Sequence, residues 1–157
     1  MVSSASSVIT AAAICGICVS SYALYVESRL GEKGYEAMCD FSESASCSAV
    51  LGSEYSHILS MSGLVSAGSK LDIPNAALGL VFYFLSLAHG VFPPVLVLAA
   101  ATVALAFSAY LAYVLAYVLK DFCLVCVASY ILNVVIFAGA ARRALNVKPR
   151  VKDVKKA

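Results

Sequence analysis

The chain has 157 residues, of which 62% are hydrophobic and 13% charged, and its net charge is +2; its mean hydropathy is +0.90. Too little polar side chain exists to cover a water-soluble globule, so a soluble domain is excluded and an integral membrane protein is implied. So slight a charge excess gives no sign of a nucleic acid partner.

Four apolar runs have lengths near the roughly 20 residues that a helix needs to cross hydrocarbon. They cover residues 8–26, 76–92, 95–119 and 122–141. Continuous apolar runs in lipid must be helical, because no water is there to satisfy the backbone. The fold class is therefore all-α: one membrane domain, a four-helix bundle whose cap is the loop 27–75 between spans one and two. The leader before the first run has no Lys or Arg, which favours a retained helix over a cleaved signal. Within that run Cys15-Gly16-Ile17-Cys18 sits mid-span, where apolar surroundings oppose thiolate formation; these read as packing cysteines.

The loop 27–75 is too long for an ordinary helix connection. It holds Cys39 and Cys47, and its residues 57–67 place Ile58, Leu59, Met61, Leu64 and Val65 at near-helical spacing. That pattern predicts a short amphipathic helix on the membrane interface. Pro74 suits the start of the second span, and Asn75 beside it either caps the helix or offers its amide to a ligand oxygen. Pro93 and Pro94 end that span and turn the chain.

Lys120 and Asp121 alone join spans three and four. Asp121 reads as an N-cap accepting from the amide of Cys123 or Leu124. The Cys123-Leu124-Val125-Cys126 motif then opens a helix, where the dipole favours a thiolate, more at Cys123 than at the deeper Cys126. Cys123, Cys126, Tyr130 and Asn133 follow a spacing of three, four and three, a stripe on one helical face. Polar groups at that depth must face the bundle interior. They could simply brace it, as a structural disulfide with Tyr and Asn joining helices.

After residue 141 the tail carries Arg142, Arg143, Lys148, Arg150, Lys152, Lys155 and Lys156 against one acid, Asp153, whereas the loop 27–75 has seven acids and three basic residues. By the positive-inside rule the tail 142–157 is cytoplasmic, with weak attraction to anionic lipid. Four spans then put both termini in the cytoplasm and both the long loop and the 120–121 turn outside it. Two cysteine pairs meet at one non-cytoplasmic surface, where disulfides persist. A Cys39–Cys47 bridge would close a small ring and constrain the unfolded loop by about 2 to 3 kcal/mol. Stabilisation is one reading. A relay is the other, because thiol-disulfide exchange needs a thiolate within reach of a neighbouring disulfide. No His lies near enough in sequence to suggest a metal site.

At these residues the chain resembles the vitamin K epoxide reductase family, over nearly its whole length. The elements are Tyr22-Ala23-Leu24, Met38-Cys39-Asp40, Cys47-Ser48, Pro74-Asn75 leading into Gly79-Leu80-Val81-Phe82-Tyr83, and Asp121-Phe122-Cys123-Leu124-Val125-Cys126 followed by Tyr130 and Asn133. The resemblance implies a quinone pocket in the bundle under a luminal cap, in the endoplasmic reticulum membrane. By it Cys126 attacks the substrate, Cys123 resolves, and Cys39 and Cys47 shuttle electrons from a thioredoxin-like luminal protein. Asn75 and Tyr130 donate hydrogen bonds to substrate oxygens, and Ser53 matches a hydroxyl position of cap and site organisation. It implies reduction of vitamin K epoxide to the quinone, and of quinone to hydroquinone, with an external dithiol, no tightly bound cofactor, and coumarin-type anticoagulants as inhibitors. Where relatives have Trp-Gly-Arg-Gly, this chain reads Tyr55-Ser56-His57-Ile58, and it has no Trp. The rival readings are a quinone-coupled disulfide-forming membrane protein and a non-catalytic four-span scaffold.

Overall fold

In a computed structural model the described residues are 2–42, 45–61, 63–66, 69 and 71–146. Among these residues six α-helices form: α1 (Val2–Arg29), α2 (Cys47–Leu51), α3 (Ile58–Met61), α4 (Asn75–Leu87), α5 (Pro94–Tyr113) and α6 (Leu124–Asn146). No strand occurs among the described residues, so the all-α membrane bundle stands. Three helical stretches, Ser4–Arg29, Pro94–Leu119 and Leu124–Asn146, are long and apolar enough to cross a membrane; Asn75–Gly90 is apolar but shorter.

Helix ends differ from the apolar runs for local reasons. α1 extends past both ends of its run, since the uncharged polar leader and the segment to Arg29 are both compatible with a helix. Pro74 stands at the N-cap of α4 rather than inside it. Pro94 opens α5 at N1, where its missing N–H costs nothing. Residues Val114–Leu119 continue α5 as a π-helix, ended by Lys120 in the left-handed region (φ 52°), and residues 120–123 turn the chain into α6. α6 begins at Leu124, two residues later than its apolar run, and continues to Asn146. The amphipathic helix expected over 57–67 shrinks to α3, and Ala67 lies outside the described residues. The basic tail from residue 147 onward also lies outside them.

α1 packs along α4 and α6, and α5 packs along α6, whereas α4 and α5 touch only sparsely. Small residues make the close approaches possible, as membrane helices require. A Cβ on Gly16 would lie 2.4 Å from the Tyr83 ring, and one on Gly139 would lie 2.7 Å from Ile9. The inner face of α1 runs through Ala12, Ala13, Gly16, Ser20 and Ala23. Cys15 and Cys18 fall on its opposite face and are exposed, so they do not pack inside the bundle. Away from the cap, His89 Nδ1 donates to the Ser86 carbonyl at 2.8 Å and Nε2 pairs with the Ser6 hydroxyl at 2.7 Å. The Arg143 guanidinium donates to the His89 carbonyl. This clamp ties α1, α4 and α6 together at that end. Tyr110, Tyr113 and Tyr117 face outward near the end of α5, an interfacial aromatic belt.

Gly16→Ala should lower stability by about 1 to 3 kcal/mol, because Tyr83 is buried and has nowhere to retreat. Gly31→Ala, with nothing within 4 Å of the added carbon, should change it by less than about 0.5 kcal/mol. Thermal unfolding in detergent tests the pair; equal stability of the two variants would contradict the close α1–α4 contact.

Candidate functional site

Cys39 and Cys47 form a disulfide, with Cα atoms 5.7 Å apart. The intervening loop turns back on itself through the Phe41 N–H, which donates to the Ala45 carbonyl at 2.8 Å. Asp40 organises it. One carboxylate oxygen accepts from the Ala37 amide (2.9 Å) and the Ser48 hydroxyl (2.6 Å), and the other from the Ser46 hydroxyl (2.9 Å) and the Ser48 amide (3.0 Å). Ser46 in turn caps α2, accepting from the Ala49 amide at 3.1 Å. Partial burial alone would raise the Asp40 carboxyl. The donors from Ser48, Ala37 and Ser46 outweigh it and pull the group down from 3.8 to about 2.

The second pair lies against the first. Cys39, Cys47 and Cys123 belong to one buried cluster with Val26, Val50, Leu51 and Leu115, and Cys126 and Tyr130 pack against it. A polar tether holds the two segments in register: Asp121 Oδ1 accepts from the Ser46 amide at 3.1 Å and from the Phe122 amide at 2.8 Å. Asp121 is therefore not the cap of α6. The cap is the sulfur of Cys123, which accepts from the Cys126 amide at 3.3 Å, the residue position and spacing of an N-cap bond.

A cavity of about 420 Å³ opens between α1, α4, α5 and α6 beneath the cap, and Asn75, Cys126, Tyr130 and Asn133 all line it. Among the six cysteines only Cys126 lines it; Cys123 is fully buried behind. The expected stripe thus loses its first member, because Cys123 precedes the helix and points away from the cavity. Asn133 lies deepest in sequence along α6, its amide donating to the Ser108 hydroxyl at 2.8 Å. Asn75 does not cap α4. Its Oδ1 accepts from the Ile58 amide (3.1 Å) and its Nδ2 donates to the Tyr55 carbonyl (2.7 Å), fastening the cap to α4. One amide hydrogen remains for a ligand.

Ser53 is not brought to this cavity. It follows the end of α2, where its hydroxyl donates to the Val50 carbonyl at 2.7 Å, and it lines a second cavity on the cap side. Glu27, at the end of α1, lines both cavities. His57 meets it, Nε2 to Oε1 at 2.9 Å, while Nδ1 stands 3.3 Å from Asp72 Oδ1. Neither this chain of groups nor the role of Asp40 is marked in the sequence by spacing: the partners lie up to 45 residues apart, counting from Glu27 to Asp72.

The family model for the vitamin K epoxide reductase family matches residues 7–141. The chain is similar to vitamin K epoxide reductase complex subunit 1 of Mus musculus, 35% identical over 127 residues, covering 77% of this chain and 79% of the relative. The Rattus norvegicus protein of the same name is 33% identical over 126 residues, covering 76% and 78%.

The sign of the Asp40 effect follows from its depressed folded value. Its carboxylate contribution is fully present above about pH 4, and is lost as pH falls toward about 2. For a partly exposed group that contribution is about 1 kcal/mol. Reduction of Cys39–Cys47 by a phosphine, which works in acid, should therefore quicken about fivefold as pH drops through that window. In Asp40→Asn it should already be fast and show no such rise.

Proposed function

The chain belongs to the vitamin K epoxide reductase family and is a multi-pass membrane oxidoreductase; from that premise we propose that it reduces vitamin K 2,3-epoxide to the quinone, and the quinone to the hydroquinone, with electrons drawn from protein dithiols. The observation that carries this reading is the graded burial of sulfur: Cys126 alone faces the cavity, Cys123 stands behind it, and the Cys39–Cys47 disulfide shares the cluster beyond.

In the proposed cycle the Cys126 thiolate attacks an oxirane carbon, one C–O bond breaks, and the oxygen takes a proton. Asn75 and Tyr130 donate hydrogen bonds to the ligand oxygens as charge grows, the kind of preorganised effect worth about 3 kcal/mol. The Cys123 thiolate then attacks the Cys126 sulfur. The S–C electron pair re-forms the carbon–carbon double bond, and the second C–O bond breaks to release water. Two thiols become one disulfide, supplying two electrons and two protons. No tightly bound cofactor enters.

Cys39 and Cys47, once reduced, return electrons to Cys123. Both are buried (5% and 0% exposed), so a thioredoxin-like luminal oxidoreductase reaches them only when their cover opens. Met38 and Phe41, 87% and 70% exposed, offer that partner an apolar landing beside the disulfide. Ser53 serves the cap rather than the ligand. We further read four spans, with Asn75–Gly90 as the short one, both termini cytoplasmic and the cap in the lumen of the endoplasmic reticulum. The basic tail and the acidic loop support that orientation. Coumarin-type inhibitors would compete for the same apolar cavity.

Purified protein supplied with dithiothreitol and vitamin K epoxide should yield the quinone. Cys126→Ala should cut turnover on the order of a thousandfold, and Cys123→Ser should stall as a sulfur-linked substrate adduct visible by mass spectrometry. Cys39→Ala should keep turnover with dithiothreitol but lose it with a protein dithiol. Turnover that survives Cys126→Ala would remove the proposed nucleophile, and quinone reduction coupled to oxidation of protein thiols, with no turnover of the epoxide, would favour the disulfide-forming alternative.

A further inference from the structure

We propose that Glu27 is the proton donor to the substrate's oxygen, recharged through His57, which Asp72 holds from its other side. The inference rests on the proposed reduction and deepens it by naming where the protons travel.

Epoxide reduction consumes two protons at the departing oxygen, and the main cavity is otherwise walled largely by apolar side chains. Ser20, Ala23 and Glu27 lie on one face of α1, at spacings of three and four, and all three line that cavity. Glu27 is its only carboxyl-bearing residue among those described. One of its oxygens, Oε1, is bound to His57, while Oε2 is buried and meets no donor among the described residues. A buried carboxyl oxygen without a partner suits a protonated group or one awaiting a ligand hydroxyl.

Behind it, His57 places one ring nitrogen on each carboxylate, 2.9 Å to Glu27 and 3.3 Å to Asp72. Its side chain is 30% exposed, against 15% for Glu27 and 8% for Asp72, so the imidazole is the most solvent-exposed of the three. Chains of carboxyl and imidazole groups leading from water to a buried site are the usual proton route in membrane proteins. The titratable neighbours on the cap side are His57, Asp72 and Glu54. Around the main cavity they are Tyr55 of the cap and Tyr83, Tyr130 and Cys126 of the bundle. No Lys or Arg among the described residues lines either cavity, so no fixed cation holds Glu27 permanently ionised.

The atoms balance without an outside reagent. As the Cys126 sulfur bonds to carbon, the carboxyl of Glu27 gives its proton to the opened oxygen. His57 returns one, ultimately from a thiol that has ionised. When Cys123 forms the disulfide and hydroxide leaves, a second transfer by the same route completes water.

Glu27→Gln keeps the size and a hydrogen bond to His57 but carries no exchangeable acid. With dithiothreitol as reductant, its kcat for vitamin K epoxide should fall about a hundredfold, with KM little changed and the alkaline decline of the wild-type pH–rate profile abolished. Glu27→Asp should recover part of the rate and restore that decline. His57→Gln should slow turnover less and blunt the pH dependence, whereas Glu54→Gln, a carboxyl of the second cavity alone, should leave both unchanged. Wild-type turnover that Glu27→Gln leaves intact overturns the assignment while sparing the reductase reading. A slow Glu27→Gln with an unchanged pH profile and a lowered melting temperature also overturns it, making Glu27 a latch for the cap. Absence of turnover in the wild type overturns both.

Discussion

One carboxylate oxygen, Oδ1 of Asp121, bridges stretches of chain 75 residues apart by accepting the Ser46 amide. Sulfur exchange proceeds only at contact, so this short tether decides whether two cysteine pairs are a relay or two unrelated features. Asp40 performs the matching task inside the loop. Together the two carboxylates fix the start of α2 and the turn before α6, and the buried cluster around Cys47 and Cys123 packs beside them.

That dependence explains the shape of the cavity. α1 is the spine, touching both α4 and α6, and α5 leans chiefly on α6. The sparse contact between α4 and α5 leaves a space that no side chain fills, walled by α6 on the cysteine side. A lid of α2, the turn after it and α3 is fastened to α4 through both amide atoms of Asn75. The same residue therefore joins cap to bundle and borders the ligand space, so a substitution there disturbs lid and site together. Three small-residue contacts, at Gly16, Gly79 and Gly139, hold the helices near enough that the cavity keeps defined walls.

Much of this was legible in the sequence because membrane burial writes itself in hydropathy. The apolar runs located the bundle helices, and the three-four-three spacing placed Cys126, Tyr130 and Asn133 on one wall, as observed. The same spacing misled at Cys123, since helical periodicity cannot say that a helix starts two residues later; sulfur took the capping role assigned to Asp121. Asn75 was read as a possible cap, although the fixed φ of Pro74 already set the helix start and left the amide for the loop. Ser53 carried only a positional resemblance, and its hydroxyl is committed to the end of α2. Cys15 and Cys18 were misassigned because hydropathy alone cannot tell an inward from an outward apolar face in lipid. Glu27, His57 and Asp72 were invisible as a set. Their meeting depends on how a long loop folds back, which local pattern does not encode.

The capping bond at Cys123 also resolves a tension between helix electrostatics and reach. The start of α6 favours charge on Cys123, yet the proposed attack on substrate belongs to Cys126. In the proposed cycle these demands fall at different moments. Cys126 needs nucleophilic character only while the ligand is in place, and it alone faces the cavity. Cys123 must then attack the Cys126 sulfur at once, before the adduct is intercepted, so its sulfur benefits from an amide already aimed at it. That donor is the backbone N–H of Cys126 itself. The residue that forms the adduct therefore supplies the hydrogen bond that readies its resolving partner, and the two sulfurs remain coupled through one turn of helix throughout.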